Sequence, residues 1–156
     1  MSKKLVLNEE VVATNVSVES REQLLNFMAD ILKKGGYVKD TYADAILQRE
    51  EKFSTGLPTE EFGVAIPHTD AIHVNEPMIC IVTLKEPIQF FEMGNPDGSV
   101  EVKVVFMLAM KDSDTQVKLL TNLMGIVQDK HLLKEIYEAN KEQLVLLIND
   151  TLWKKI

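Results

Sequence analysis

Three histidines and one cysteine are the first side chains to weigh as nucleophiles near neutral pH, and among them His68 has the setting that best suits one. It follows the apolar run Phe62-Gly63-Val64-Ala65-Ile66-Pro67 and precedes Thr69-Asp70. Proline cannot donate to a sheet ladder and disfavours helix at the residue before it, so a strand should end here. That leaves the imidazole at a strand mouth, on a short loop held by a rigid element. Open α/β sheets often carry their reactive groups at such ends. A histidine in this position is either a nucleophile or a structural hydrogen-bonder, and local physics leaves both open.

The remaining candidates carry less. His68 and His73 are five residues apart, about 140° around a helix and on opposite faces of a strand, which is poor for a shared metal. Asp70 could join them from a loop and make a metal-dependent hydrolase, but no third ligand follows at a known metal spacing. The plain alternative is a polar loop, and no metal is assigned. His73, in the loop before an apolar strand, is expected to be structural or solvent-exposed. His131, beside Asp129 and Lys130 on an amphipathic segment, is expected at the surface. Cys80 lies inside Met78-Ile79-Cys80-Ile81-Val82, a core strand, and has no partner for an internal disulfide. The chain has no Gly-x-Ser-x-Gly elbow, P-loop or Gly-x-Gly-x-x-Gly, so no cofactor is assigned. A net charge of -7 with scattered lysines argues against nucleic acid. No apolar stretch approaches the roughly 20 residues that cross a bilayer, so no direct membrane insertion is expected. The start Met1-Ser2-Lys3-Lys4 is basic but lacks a long apolar region, and a cytoplasmic location is expected.

The elements that would hold His68 can be read from periodicity. Residues 5–18 alternate loosely, as a strand or an extended arm. Ser20-Arg21-Glu22-Gln23 resembles a capping box before a helix with Leu24, Phe27, Met28, Ile31 and Leu32 on one side, stopped at Gly35-Gly36. A second helix starts near Asp40 or Thr41 and carries Arg49 in its last turns. A loop at 54–59 leads to the strand that ends at Pro67. Residues 78–84 read as a strand buried on both faces, broken by Lys85-Glu86-Pro87. Ile88 to Met93 reads as another, closed by a turn at 94–98, and Val100 to Met110 as a third that enters the middle of a sheet. Ser113-Asp114-Thr115-Gln116 looks like a second capping box, opening a helix, with two shorter ones near 130–138 and 141–149 and a tail from Thr151. At 156 residues the expectation is one domain, 1–156: an α/β fold with a central mixed sheet and helices on both faces.

The run Gly63-Val64-Ala65-Ile66-Pro67-His68-Thr69 resembles the active-site segment of enzyme IIA domains of the sugar phosphotransferase system, of the fructose–mannitol (type 2) superfamily. Arg49-Glu50 at a helix end, Gly56 in the loop, and the strand from Val104 to Ala109 followed by a helix with Gln116 fall where that family would place them. Thr69-Asp70 and Glu92-Met93-Gly94-Asn95 look most like its galactitol-specific branch. The resemblance spans about residues 5 to 150. It implies a phosphocarrier: His68 takes a phosphoryl group on Nε2 from the phosphocarrier protein HPr and passes it to a cysteine of enzyme IIB, for uptake through the membrane enzyme IIC. It also implies that Arg49 pairs with the phosphoryl oxygens and that Thr69 helps through its hydroxyl or backbone N–H. A regulatory module of the same fold, in which phosphorylation controls protein binding, is the alternative. Family members of the mannitol and fructose type carry a second histidine where this chain has Asp114. That carboxylate either caps its helix or orients His68 through the other ring nitrogen.

Overall fold

Two 15-residue strands paired as one long hairpin form the axis of the fold. The computed structural model describes residues 5–152; the basic start and the last four residues of the tail lie outside the described residues. Strand β4 (Met78–Glu92) runs antiparallel to β5 (Asn95–Ala109), from the Met78↔Ala109 pair to the turn at Met93-Gly94. Gly94 has φ +75°, a conformation that glycine reaches without the Cβ penalty, and so the hairpin closes tightly there. Successive strand residues point to opposite faces. Residues 78–84 and 104–109 are all buried, so both faces of this half of the sheet are covered, as an unbroken Val/Ile-rich run requires.

The other strands flank this pair. β1 (Val12–Val16) lies parallel to β4, and β3 (Gly63–Ala65) lies parallel to β5. β2 (Gly56–Leu57) is antiparallel to β3 and bridges in parallel to the far end of β4 at Glu92. The sheet is therefore mixed, with five strands. Among the described residues five α-helices accompany it: α1 (Arg21–Lys34), α2 (Tyr42–Lys52), α3 (Ser113–Gln128), α4 (Lys130–Glu138) and α5 (Lys141–Thr151). The α/β architecture with a mixed sheet is the one that periodicity indicates.

Several boundaries differ from the sequence reading. Lys85-Glu86-Pro87 does not break the strand. It shifts the β4–β5 register between Thr83 and Ile88, and pairing resumes beyond it. Proline is tolerated at such an irregularity because no ladder N–H is needed there. β5 starts at Asn95 instead of Val100, and two residues of the predicted 54–59 loop form β2. The α3 cap is Asp112, one residue before the expected serine. Its side chain accepts from Thr115 N–H at 2.7 Å and from the Thr115 hydroxyl at 2.8 Å. Ser20 caps α1 as read, accepting from Gln23 N–H at 3.1 Å.

Candidate functional site

His68 stands where three elements meet. β3 ends at Ala65, and the chain continues beside β5, where Leu108 N–H donates to the Pro67 carbonyl at 2.9 Å. The Leu108 carbonyl in turn accepts from the hydroxyl of Tyr42, the fully buried first residue of α2, at 2.6 Å. The proline thus ends the ladder without freeing the loop. His68 is half-buried, with its Nδ1 2.9 Å from the Ile66 carbonyl oxygen. A carbonyl only accepts, so Nδ1 carries the proton and Nε2 keeps the lone pair. Burial lowers the His68 pKa from its ordinary 6.5; the Ile66 bond opposes this, and the Arg49 charge adds to it. The ring is accordingly neutral at pH 7, with its nucleophilic nitrogen unprotonated.

Arg49, in the last turn of α2, lies with Cζ 4.5 Å from the centroid of the Phe53 ring. Stacking on an aromatic face leaves the guanidinium edge free for a planar oxyanion. Thr69 is buried beside His68. Asp114 is exposed in the first turn of α3, whose cap is Asp112. The Nδ1 that a carboxylate would need in order to orient the ring is already engaged by Ile66. His73 belongs to a separate contact, with Nδ1 2.8 Å from the Thr41 hydroxyl. This contact ties the Ala71–His73 turn to the start of α2. Asp70 and His131 are exposed. Among the described residues, no group of three or more His, Cys, Asp and Glu side chains is placed to hold a metal. Cys80 is fully buried, and burial pushes its thiol pKa well up.

Two neighbours were given no site role in the sequence reading, although Glu50 was part of the Arg49-Glu50 pair that carries the resemblance. Glu50 is only 4% exposed and grips Thr55 through both carboxylate oxygens. A signal was present: Tyr42, Ile46 and Glu50 recur at spacing four, so the carboxylate lies on the buried stripe of α2.

A family model described as "Phosphoenolpyruvate-dependent sugar phosphotransferase system, EIIA 2" matches residues 5–150. The chain belongs to this family and is a phosphotransferase-system EIIA component. It is 29% identical over 133 residues to the galactitol-specific EIIA component of Escherichia coli K12, covering 85% of this chain and 88% of that protein. It is 34% identical over 113 residues to the transcriptional regulator ManR of Bacillus subtilis, covering 72% of this chain but 16% of that protein. The fold matches the enzyme IIA in a complex of mannitol IIA and phosphorylated IIB from Escherichia coli, with a TM-score of 0.76 at 20% identity, over 94% of this chain and 99% of that one.

Proposed function

We propose that the chain is a cytoplasmic phosphocarrier of a sugar uptake system with His68 as its phosphorylated residue. The observation that carries this reading is the His68 Nδ1–H bond to the Ile66 carbonyl, which leaves the Nε2 lone pair unprotonated. In the first step Nε2 forms a bond to phosphorus as the bond to the donor atom of phospho-HPr breaks, and that electron pair leaves with HPr. In the second step a cysteine thiolate of enzyme IIB forms the S–P bond and the N–P bond breaks, returning the pair to Nε2. The Nδ1 proton stays in place throughout. Arg49 supplies charge to the phosphoryl oxygens, since phosphoryl transfer depends on positioning and charge stabilisation. Thr69 is the neighbouring donor. Asp114, exposed at the start of α3, is given no part in the transfer, because the Ile66 carbonyl already holds Nδ1.

The acceptor is enzyme IIB, working with membrane enzyme IIC, and galactitol or a related polyol is the sugar, on the strength of the galactitol-specific relative. Incubation with enzyme I, HPr and phosphoenolpyruvate should give an acid-labile label that His68→Ala abolishes and that enzyme IIB removes. An acid-stable label, or one that survives the alanine change, overturns the assignment. The likeness to the regulator supports a second reading, control of protein binding by phosphorylation. Failure of the phosphorylated protein to donate to any enzyme IIB, with phosphorylation-dependent binding of another protein, would favour it.

A further inference from the structure

A short chain of hydrogen bonds runs from a buried carboxylate to the His68 ring. Glu50 Oε1 accepts from the Thr55 hydroxyl at 2.8 Å, and Glu50 Oε2 accepts from Thr55 N–H at 2.7 Å. Thr55 Oγ1 accepts from Ile66 N–H at 3.2 Å, and the Ile66 carbonyl accepts from His68 Nδ1–H at 2.9 Å. The order of donors follows from the Ile66 N–H, which can only donate to Thr55 Oγ1; with Glu50 ionised, its oxygens only accept, so the single hydroxyl proton of Thr55 points at Glu50.

The register explains why a side chain is used. β2 and β3 pair at Gly56↔Ala65 and Leu57↔Val64, so Thr55 and Ile66 would form the next antiparallel rung. The ladder has ended, and the Thr55 hydroxyl supplies that rung in place of a backbone carbonyl. Beyond it Pro67 has no N–H to give, and its carbonyl is held by Leu108. The backbone at Ile66 is therefore pinned on either side, by Thr55 at the Ala65–Ile66 peptide and by Leu108 at the Pro67 carbonyl, with the Ile66 carbonyl between them bonded to the imidazole. Attack by Nε2 on phosphorus puts positive charge on the ring, shared with Nδ1–H, where this carbonyl receives it. A buried carboxylate is an expensive anchor for one hydroxyl: burial pushes Glu50 up to about 7 against the pull of Thr55 and Arg21.

We propose that Thr55, held by Glu50, is a positioning residue for His68: it fixes the backbone at Ile66, and with it the direction of the next carbonyl, so that the proton stays on Nδ1 and the lone pair on Nε2. This rests on His68 being the phosphoryl acceptor, but its test does not need phosphoryl transfer. Nitrogen-15 spectra of the histidine-labelled full chain at pH 7.5, with the ring assigned by its loss in His68→Ala, read the tautomer directly. The wild type should show one form, protonated at Nδ1. Thr55→Val, which keeps the shape and removes the hydroxyl, should show mixed tautomers. Its maximal rate of phosphoryl acceptance should fall roughly 10- to 100-fold, with KM for phospho-HPr within about twofold, and Thr55→Ser should restore both. A folded Thr55→Val with the wild-type tautomer and rate overturns the proposal, as does a wild-type ring protonated at Nε2. Should Thr55→Val not fold, Glu50→Gln, which loses one of the two acceptors, is read the same way. If the wild type takes no label at His68, the phosphocarrier reading fails while the spectra still decide whether Thr55 sets the tautomer.

Discussion

At the scale of single residues, the site is an exercise in keeping one imidazole neutral. Burial is the larger cause and Arg49 the smaller, and both disfavour the imidazolium; the Ile66 bond alone works the other way. Acceptance of a phosphoryl group needs the unprotonated ring, and the folded pKa lies below 6.5. The rate should therefore fall as pH drops through a midpoint that lies below the 6.5 of an ordinary histidine, as protonation removes the Nε2 lone pair. Arg49→Gln should lower acceptance by roughly 10²–10³-fold by removing the charge proposed to meet the phosphoryl oxygens. It should also move the acid limb to higher pH, because one of the two influences that depress His68 is gone. Single-turnover labelling across pH 5–8 measures both effects. An unmoved limb with a lowered rate would separate the guanidinium's contact with phosphate from its field at the ring. Much of this was legible in the residues: Pro67 marks where the strand stops, and His68 follows it. What was not legible is which ring nitrogen is free, because that depends on a backbone carbonyl two residues back and, as proposed, on a hydroxyl just ahead of β2.

At the scale of elements, the site depends on β2, the shortest strand and the one that the sequence presents as loop. Two residues carry no usable periodicity, so only the assembled sheet reveals them. Gly56 lies between β3 and the end of β4, and a Cβ built there would stand 2.5 Å from the Phe91 carbonyl oxygen. Backbone cannot yield as a flexible side chain can. Gly56→Ala should destabilise the fold by roughly 2 kcal/mol and displace the adjacent Thr55 from Ile66, so labelling of His68 slows as well. Urea unfolding beside a labelling time course checks the pairing of the two effects; full stability with full labelling would mean that β2 can shift without cost to the site. The misread break at Lys85-Glu86-Pro87 has a related origin. Local composition signals a stop, yet the partner strand continues, and long-range pairing absorbs the proline as a register shift.

At the scale of the molecule, a carrier that receives a group from one protein and hands it to another must offer the same nitrogen to two partners in turn. Large apolar side chains are exposed on the elements around His68. Phe53 is 58% exposed beneath the Arg49 guanidinium, Ile72 is 69% exposed four residues after His68, and Val117 is 61% exposed on α3, the helix that β5 leads into after passing Pro67. None of the three is needed to complete the core, which is filled by the paired strands and the inner faces of the helices. Exposed apolar groups on the segments that carry His68 and Arg49, and on the helix that follows β5, suit transient protein docking, in which a few well-placed side chains carry most of the affinity. Ile72→Asp should leave unfolding stability within about 0.5 kcal/mol and leave the His68 tautomer unchanged, because Ile72 takes no part in the bonds that hold the ring. It should raise the apparent KM for phospho-HPr by roughly tenfold, the loss of about 1.4 kcal/mol of binding. Donation to enzyme IIB should weaken in parallel if both partners use this rim. Labelling rates measured against HPr concentration decide it: an unchanged KM would place the docking contacts elsewhere, and a lowered maximal rate with KM intact would make Ile72 a support of the His68 loop.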